Sequence, residues 1–360
     1  MNNVTNRELI ALATAFRDQL KQQKASLRDP LWEWYPYDTL SNFTHLADLL
    51  ATAQLEFRDL AGGEPVADIG CADGDLSLFL ASLGCDVDAL DNPLTHHNGM
   101  RGVRLLAQAR QASVNVHAAD LDEQWWLPRD KYQLSLLLGV LYHLKNPFFA
   151  LETMAKHSRY LLLSTRIAGR FPGILQPMAS VPAAYLVAED EMNRDNSNFW
   201  IFTEAALRRL MHRAHWQVLG LITKPAGGDD ERAYIVAESR YSLVNVELLR
   251  GLYEDEGQGW RWTAPEFTLR IPVKGRAPRR IALKVHLPEP TPERSIAFRC
   301  AGHDLGTDTI ALSGDHLLTR DLPPTSSASV DVDISVSPPL KESAEGRALG
   351  LILASVQIEV

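Results

Sequence analysis

Pro65-Val66-Ala67-Asp68-Ile69-Gly70-Cys71-Ala72-Asp73-Gly74-Asp75 runs directly into Leu76-Ser77-Leu78-Phe79-Leu80. The apolar start predicts a strand near 65–69, the small residues a tight turn, and the following stretch a helix near 75–83. A strand-turn-helix junction of this kind lets main chain approach a ligand closely, because glycine has no Cβ and tolerates positive φ. Gly70, Ala72 and Gly74 fall at every second position rather than in the G-x-G-x-x-G spacing of dinucleotide folds, so a pyrophosphate is not the preferred guest.

Outward from this junction, short apolar runs alternate with helical stretches. Strands are expected near 86–90, 114–118, 134–138, 159–164, 216–222 and 233–238, and helices near 98–111, 147–157 and 203–214. This βαβ order predicts one doubly wound, Rossmann-like α/β domain over residues 61–240. Upstream, Leu9, Ile10, Leu12, Ala13, Phe16 and Leu20, then Leu40, Phe43, Leu46, Leu49, Leu50 and Phe57, recur near helical spacing. They predict two helices, over 4–25 and 40–60, in an N-terminal extension of residues 1–60. Downstream, residues 241–256 are read as a linker, and beyond 257 the helical period gives way to alternation. Strands near 267–271, 281–285, 295–299, 308–312, 328–336 and 349–359 predict an all-β sandwich over 257–360.

The 360 residues, 46% hydrophobic and 22% charged, describe an ordinary globular chain long enough for two domains. No apolar run of membrane-spanning length occurs, and Met1-Asn2-Asn3-Val4 does not open a signal peptide, so a cytoplasmic protein is expected. Cys71, Cys85 and Cys300 form no CxxC pair, which speaks against a disulfide scaffold or a zinc site; no metal is expected. A net charge of −9 weighs against broad nonspecific nucleic-acid binding, although a local basic patch is compatible with it.

Further residues stand where a nucleoside needs them. Asp91-Asn92 follow the second strand, where a carboxylate can accept from both ribose hydroxyls. Asp120 and Leu121 follow the third, offering a polar partner and an apolar surface to an adenine. The fourth ends in Leu138-Gly139-Val140-Leu141-Tyr142-His143, main chain for an amino-acid group followed by two aromatic polar side chains over a reacting centre.

Taken with Asp68–Gly74, these residues resemble class I S-adenosylmethionine methyltransferases. Tyr142-His143 with Asn146-Pro147, and Asn198-Phe199-Trp200 before a helix, make residues 30–240 similar to the branch that includes bacterial wobble-uridine tRNA carboxymethyltransferases. The resemblance implies a seven-stranded sheet with an antiparallel last strand and S-adenosyl-L-methionine as cofactor. It further implies contacts from Asp68, Gly70, Cys71, Ala72 and Gly74, with Leu138 and Gly139, to the methionine part. Asp91 and Asn92 would serve the ribose, Asp120 and Leu121 the adenine. Gly259–Thr263 and Arg347–Leu351 resemble the β-domains attached to bacterial surface-polysaccharide enzymes, which makes a glycan or glycolipid acceptor a candidate beside a small molecule or tRNA.

Several features admit two readings. His143 is either a general base or a packed histidine, and Tyr142 shares that choice. Trp32, Trp34, Tyr35 and Tyr37 either form a lid or anchor the N-terminal helices. Asn193, Asp195, Asn198 and Trp200 lie in a long connection of the kind that covers active sites, while Thr203-Glu204 also read as a helix start. Thr165-Arg166 either meet an anionic acceptor or form surface pairs. Arg270, Lys274, Arg276, Arg279, Arg280 and Lys284 either meet phosphate or cover solvated strand faces. A noncatalytic cofactor-binding scaffold is the remaining alternative, and the sequence leaves the oligomeric state open.

Overall fold

The computed structural model describes residues 4–360 apart from 28–30, 63–64, 124–126, 172, 174–175, 190, 192–194, 226–230, 243–245, 254–259, 274–275, 290–292 and 341–347. Asn193, Lys274, Gly259 and Arg347, singled out above, lie outside the described residues. The chain divides into two compact units, Met1–Ser239 and Arg240–Val360.

The first unit opens with α1 (Asn6–Ser26), started by a capping box in which the Thr5 side chain accepts from Glu8 N and Glu8 reaches back to Thr5. The expected second helix over 40–60 is broken. A 3-10 turn (Thr39–Ser41), capped by Asp38, leads into α2 (Asn42–Thr52), and α3 (Phe57–Ala61) follows separately. The reason is local: Gln54 is left-handed at φ 58°, so the helical ladder ends there.

The sheet strands are β1 (Val66–Ile69), β2 (Val87–Asp91), β3 (Val114–Ala118), β4 (Tyr132–Leu138) and β5 (Ser158–Arg166). A two-stranded insertion, β6 (Ala184–Leu186) with β7 (Trp200–Phe202), precedes β8 (Trp216–Lys224) and β9 (Arg232–Ser239). The order β3-β2-β1-β4-β5-β9-β8 is parallel from β3 to β5, and the last strand, β9, is antiparallel to both neighbours. Helices α4 (Asp75–Ser82), α5 (Arg101–Arg110), α6 (Pro147–His157) and α7 (Glu204–Arg213) follow or flank these strands. All four residues of β1 are buried, as a parallel strand covered on both faces requires. Phe16, Phe43, Phe57 and Phe79 bring α1, α2, α3 and α4 into one core with Val66, Leu134 and Leu162 of the sheet. Helix α5 starts at Arg101 rather than near 98 because Gly99 and Met100 are both left-handed at φ 62°.

The second unit is an antiparallel β-sandwich verging on a barrel. Its strands are β10 (Tyr241–Ser242), β11 (Glu247–Leu252), β12 (Arg261–Pro272), β13 (Arg280–Leu287), β14 (Arg294–Cys300), β15 (His303–Ile310), β16 (Gly314–Asp321), β17 (Ser329–Ser337) and β18 (Ile352–Glu359). Long β12 passes from one face to the other, pairing β18 through Arg261-Trp262 and β17 through Glu266–Pro272. Arg320 of β16 donates to Asp308 of β15 at 2.7 Å, drawing the two ends of the strand order together. The stretch 241–256, expected as a linker, supplies β10, which pairs β18, and β11, which pairs β12. In the basic run, Arg270 and Arg280 are engaged by Asp331 and Asp321, each at 2.7 Å, so these two residues cover strand faces as ion pairs.

Candidate active site

At the carboxyl ends of the parallel strands, main-chain bonds join β1 to β2, β3 to β2, and β4 to β5. Gly70 N and Cys71 N donate to Leu90 O at 2.8 and 3.1 Å, Ala119 N donates to Asp91 O at 2.9 Å, and Gly139 N donates to Ser164 O at 2.9 Å. Gly70 and Gly74 are left-handed at φ 77° and 79°. A Cβ on Gly70 would lie 2.2 Å from Val140 Cγ2, and one on Gly74 would lie 2.4 Å from Val103 Cγ2. Glycine is therefore needed at both positions by conformation and by close approach.

Asp91 faces this turn. Its Oδ2 accepts from Ala72 N at 2.9 Å and its Oδ1 from Asn92 N at 2.8 Å, while His96 Nε2 stands 3.8 Å from Oδ2. Burial holds the Asp91 carboxyl above its usual range, opposed by His96 and the two backbone donors. Asp68 is turned the other way, into the start of α4, where Ser77 Oγ donates to it at 2.5 Å; burial pushes its pKa up to about 7. Cys71 is buried and its thiol is pushed well up by burial, which leaves it protonated and unreactive. Asp120 accepts from Asp122 N at 3.0 Å, and Asp122 in turn accepts from Asn146 N at 2.9 Å, linking the β3 loop to the start of α6; Leu121 is buried beside it.

Asp73 is a hub that residue pattern alone did not mark. It is 1% exposed, and it accepts from Tyr35 N at 2.7 Å, Asn98 Nδ2 at 2.8 Å and Lys24 Nζ at 3.2 Å. Both bonds from the aromatic segment fasten it to the core, as the anchoring reading expects. Trp34 anchors it to α1 through Nε1 to Lys24 O at 3.1 Å, whereas Tyr35 is held beside the turn. Burial, with Tyr142, Tyr37 and Asp91 nearby, pushes the Tyr35 hydroxyl up to about 12.

After β4, Gly139 is left-handed at φ 79°, and Leu141–His143 form a 3-10 turn. A Cβ on Gly139 would project between Tyr142 OH at 3.8 Å and Arg232 Nη1 at 3.9 Å, so the missing side chain leaves space bounded by a phenol and a guanidinium. Arg232 lies 5.7 Å over the Tyr142 ring and is the cross-strand neighbour of Arg166. The His143 ring is 4.2 Å from that of Tyr142, and its Nδ1 lies within 3.0 Å of both Ser197 O and Ser197 Oγ. Burial lowers the His143 pKa, helped by Arg166 and Arg232 and opposed by Ser197 and Asp195. Ser197 and Arg232 were absent from the sequence reading: Arg232 follows a polar run, and Ser197 is fifty-four positions from its partner His143.

A methyltransferase domain family model matches residues 36–221, more than half of the chain. The chain belongs to this family. It is an S-adenosylmethionine-dependent methyltransferase, with the seven-stranded sheet that its motifs imply. Several solved structures resemble the methyltransferase in part. The N-terminal domain of EvdMO1, with S-adenosylhomocysteine bound, is 16% identical over 62% of this chain and 97% of that one, at a TM-score of 0.43. The 1,6-didemethyltoxoflavin-N1-methyltransferase of Burkholderia thailandensis is 19% identical over 66% and 91%, at 0.39. The glycopeptide N-methyltransferase MtfA is 16% identical over 53% and 87%, at 0.38. No curated protein matches the methyltransferase sequence significantly.

Proposed function

We propose that this methyltransferase transfers a methyl group to a hydroxyl or amine of a small acceptor, a glycan-related compound among them, with Asp91 holding the donor and Tyr142-His143 facing the acceptor. One observation carries the reading: Asp91, the glycine turn and the space beside Gly139 are brought to a single edge of the sheet. That edge, at the carboxyl ends of the parallel strands, is where open α/β sheets bind their ligands.

The residues suit S-adenosylmethionine. Asp91 is an acceptor for hydroxyl donors, as a ribose presents, and Asn92 adjoins it. Asp120 and Leu121 supply a polar and an apolar partner for an adenine. Gly70, Ala72, Gly74 and Gly139 supply main chain without bulk for the methionine portion and Leu138 its main chain, while Asp68 and Cys71 act beneath it by shaping the turn. When bound, the cofactor supplies an electrophilic methyl carbon on a positively charged sulfur. The protein's own contribution is orientation and exclusion of water, because displacement at that carbon needs alignment above all. Tyr142 and Arg232 bound the space, and His143, neutral at physiological pH through its lowered pKa, can take up the acceptor's proton.

Incubating the full chain with S-adenosylmethionine and with small-molecule, glycan or tRNA fractions, and measuring S-adenosylhomocysteine release, tests the reading. Release with small molecules or glycans is expected. Release with tRNA alone would replace the acceptor class, and tight cofactor binding without turnover in any fraction would favour a scaffold.

A further inference from the structure

The connection between β6 and β7 reaches back to His143 through a chain of three side chains. His143 Nδ1 lies 3.0 Å from the Ser197 carbonyl oxygen, which can only accept, and 2.9 Å from Ser197 Oγ. Ser197 Oγ lies 2.5 Å from Asp195 Oδ1, a carboxylate oxygen that also only accepts, so the hydroxyl hydrogen is committed to Asp195. Ser197 Oγ therefore presents lone pairs to the imidazole. With acceptors on both sides, Nδ1 must carry the ring proton, and in the neutral ring the lone pair falls on Nε2. Among the described residues no hydrogen bond occupies Nε2.

The arrangement is braced independently of the histidine. Ser197 N donates to Asp195 Oδ1 at 2.9 Å and Asn198 Nδ2 to Asp195 O at 2.9 Å, which closes a tight turn. Phe199 N donates to Tyr142 O at 2.8 Å and ties that turn to the 3-10 turn bearing the histidine.

We infer that Asp195 and Ser197 are positioning residues that hold His143 as the Nδ1–H tautomer, so that Nε2 is the proton acceptor of the methyl-transfer site. The inference rests on the function proposed above. In the step it serves, the acceptor's oxygen or nitrogen forms a bond to the methyl carbon while the carbon–sulfur bond breaks. The electron pair goes to sulfur and neutralises its charge, and the acceptor's proton passes to Nε2. The resulting imidazolium directs its Nδ1–H toward Ser197 and, through it, the Asp195 carboxylate. The charged groups around the ring are Asp195, which favours protonation, and Arg166 and Arg232, which oppose it; the Tyr142 ring packs on it.

Nitrogen NMR of the full chain labelled at histidine, with and without S-adenosylhomocysteine, reads the tautomer and titration of His143 directly, with His143→Gln assigning its signals. The wild type is expected to show a protonated Nδ1 and a bare Nε2. Asp195→Asn removes the charge and leaves the Ser197 hydroxyl only a weaker amide acceptor, so that it can also turn toward Nδ1; the substitution should mix the tautomers and move the His143 midpoint downward, while Asp195→Glu should restore part of both. Ser197→Ala, which leaves the carbonyl in place, provides a milder second variant with a shift in the same direction. A wild-type His143 protonated at Nε2, or a tautomer and midpoint that neither Asp195→Asn nor Ser197→Ala moves, would overturn the inference. Calorimetry of S-adenosylhomocysteine on the same wild-type sample tests the underlying reading separately: absence of binding overturns the methyl-transfer assignment of Nε2, whatever the tautomer.

Discussion

Replacing Asp73 by Asn tests how the N-terminal segment is fastened to the cofactor turn. Asp73 Oδ2 receives Tyr35 N at 2.7 Å and Lys24 Nζ at 3.2 Å, and Oδ1 receives Asn98 Nδ2 at 2.8 Å. All three neighbours are donors, so an amide in either orientation turns its own N–H₂ against at least one of them. The substitution also removes the charge facing Lys24 in a position with 1% exposure. Breaking a buried pair from one side costs about 3–5 kcal/mol, and the lower end applies here because the Lys24 ammonium keeps Asp75. Asp75 Oδ1 stands 2.7 Å from that nitrogen. A loss of about 3 kcal/mol in a domain of this size corresponds to a melting temperature lower by about 6–12 °C. Differential scanning calorimetry of the full chain at neutral pH measures it. Lys24→Met should cost at least as much, since it leaves Asp73 and Asp75 buried side by side without the cation they share. Asp73→Asn melting within about 2 °C of wild type would show that the three bonds do not hold the segment in solution.

Asp91→Ala should leave the fold intact but weaken S-adenosylhomocysteine binding at least tenfold, as expected for losing a charged hydrogen-bond partner worth about 1.5–3 kcal/mol; isothermal titration calorimetry with unchanged affinity would refute its role. Asp68 has a folded pKa of about 7, above its unfolded value, so the folded state holds the extra proton and this group's contribution to stability declines as pH rises from about 4 through 7. Asp68→Asn, still able to accept from Ser77, should therefore gain most over wild type above pH 7 and progressively less toward pH 4, in melts followed against pH. Gly139→Val places a branched side chain between Tyr142 OH and Arg232 at a φ of 79°, and should abolish turnover and lower the melting temperature together. An active, equally stable variant would show that the space beside Gly139 is not used.

What could be read along the chain was local. The short apolar run of β1, the glycine turn after it and the further alternation of such runs with helical stretches determined the βαβ reading, because a strand covered on both faces is apolar throughout. Gly70 and Gly74 were legible as well: a turn at φ 77° and 79° tolerates few other residues. Strands lacking a contrast between faces were not legible. β16 buries only Leu318 while Leu317 is 67% exposed, and β11 is an edge strand with its first four residues exposed, so neither carries an alternation to detect. The break between α2 and α3 depends on one backbone angle at Gln54, which its side chain does not announce.

The candidate site divides along the same line. Asp91 and Gly139 could be placed from the sequence, because each ends a strand whose partners the βαβ order already defines. The direction of each side chain was decided by tertiary structure alone. Asp68 turns into α4 and Asp91 toward Ala72 N, although both are aspartates at the ends of adjacent strands. Asp73 became the hub of three segments only when folding brought Lys24, Tyr35 and Asn98 around it. His143 could be named from its neighbours in the chain, but which of its nitrogens holds the proton is set by Ser197 and Asp195 from a distant connection. Residue type and spacing are local properties; a hydrogen-bond partner 25 to 54 positions away exists only once the chain has closed on itself.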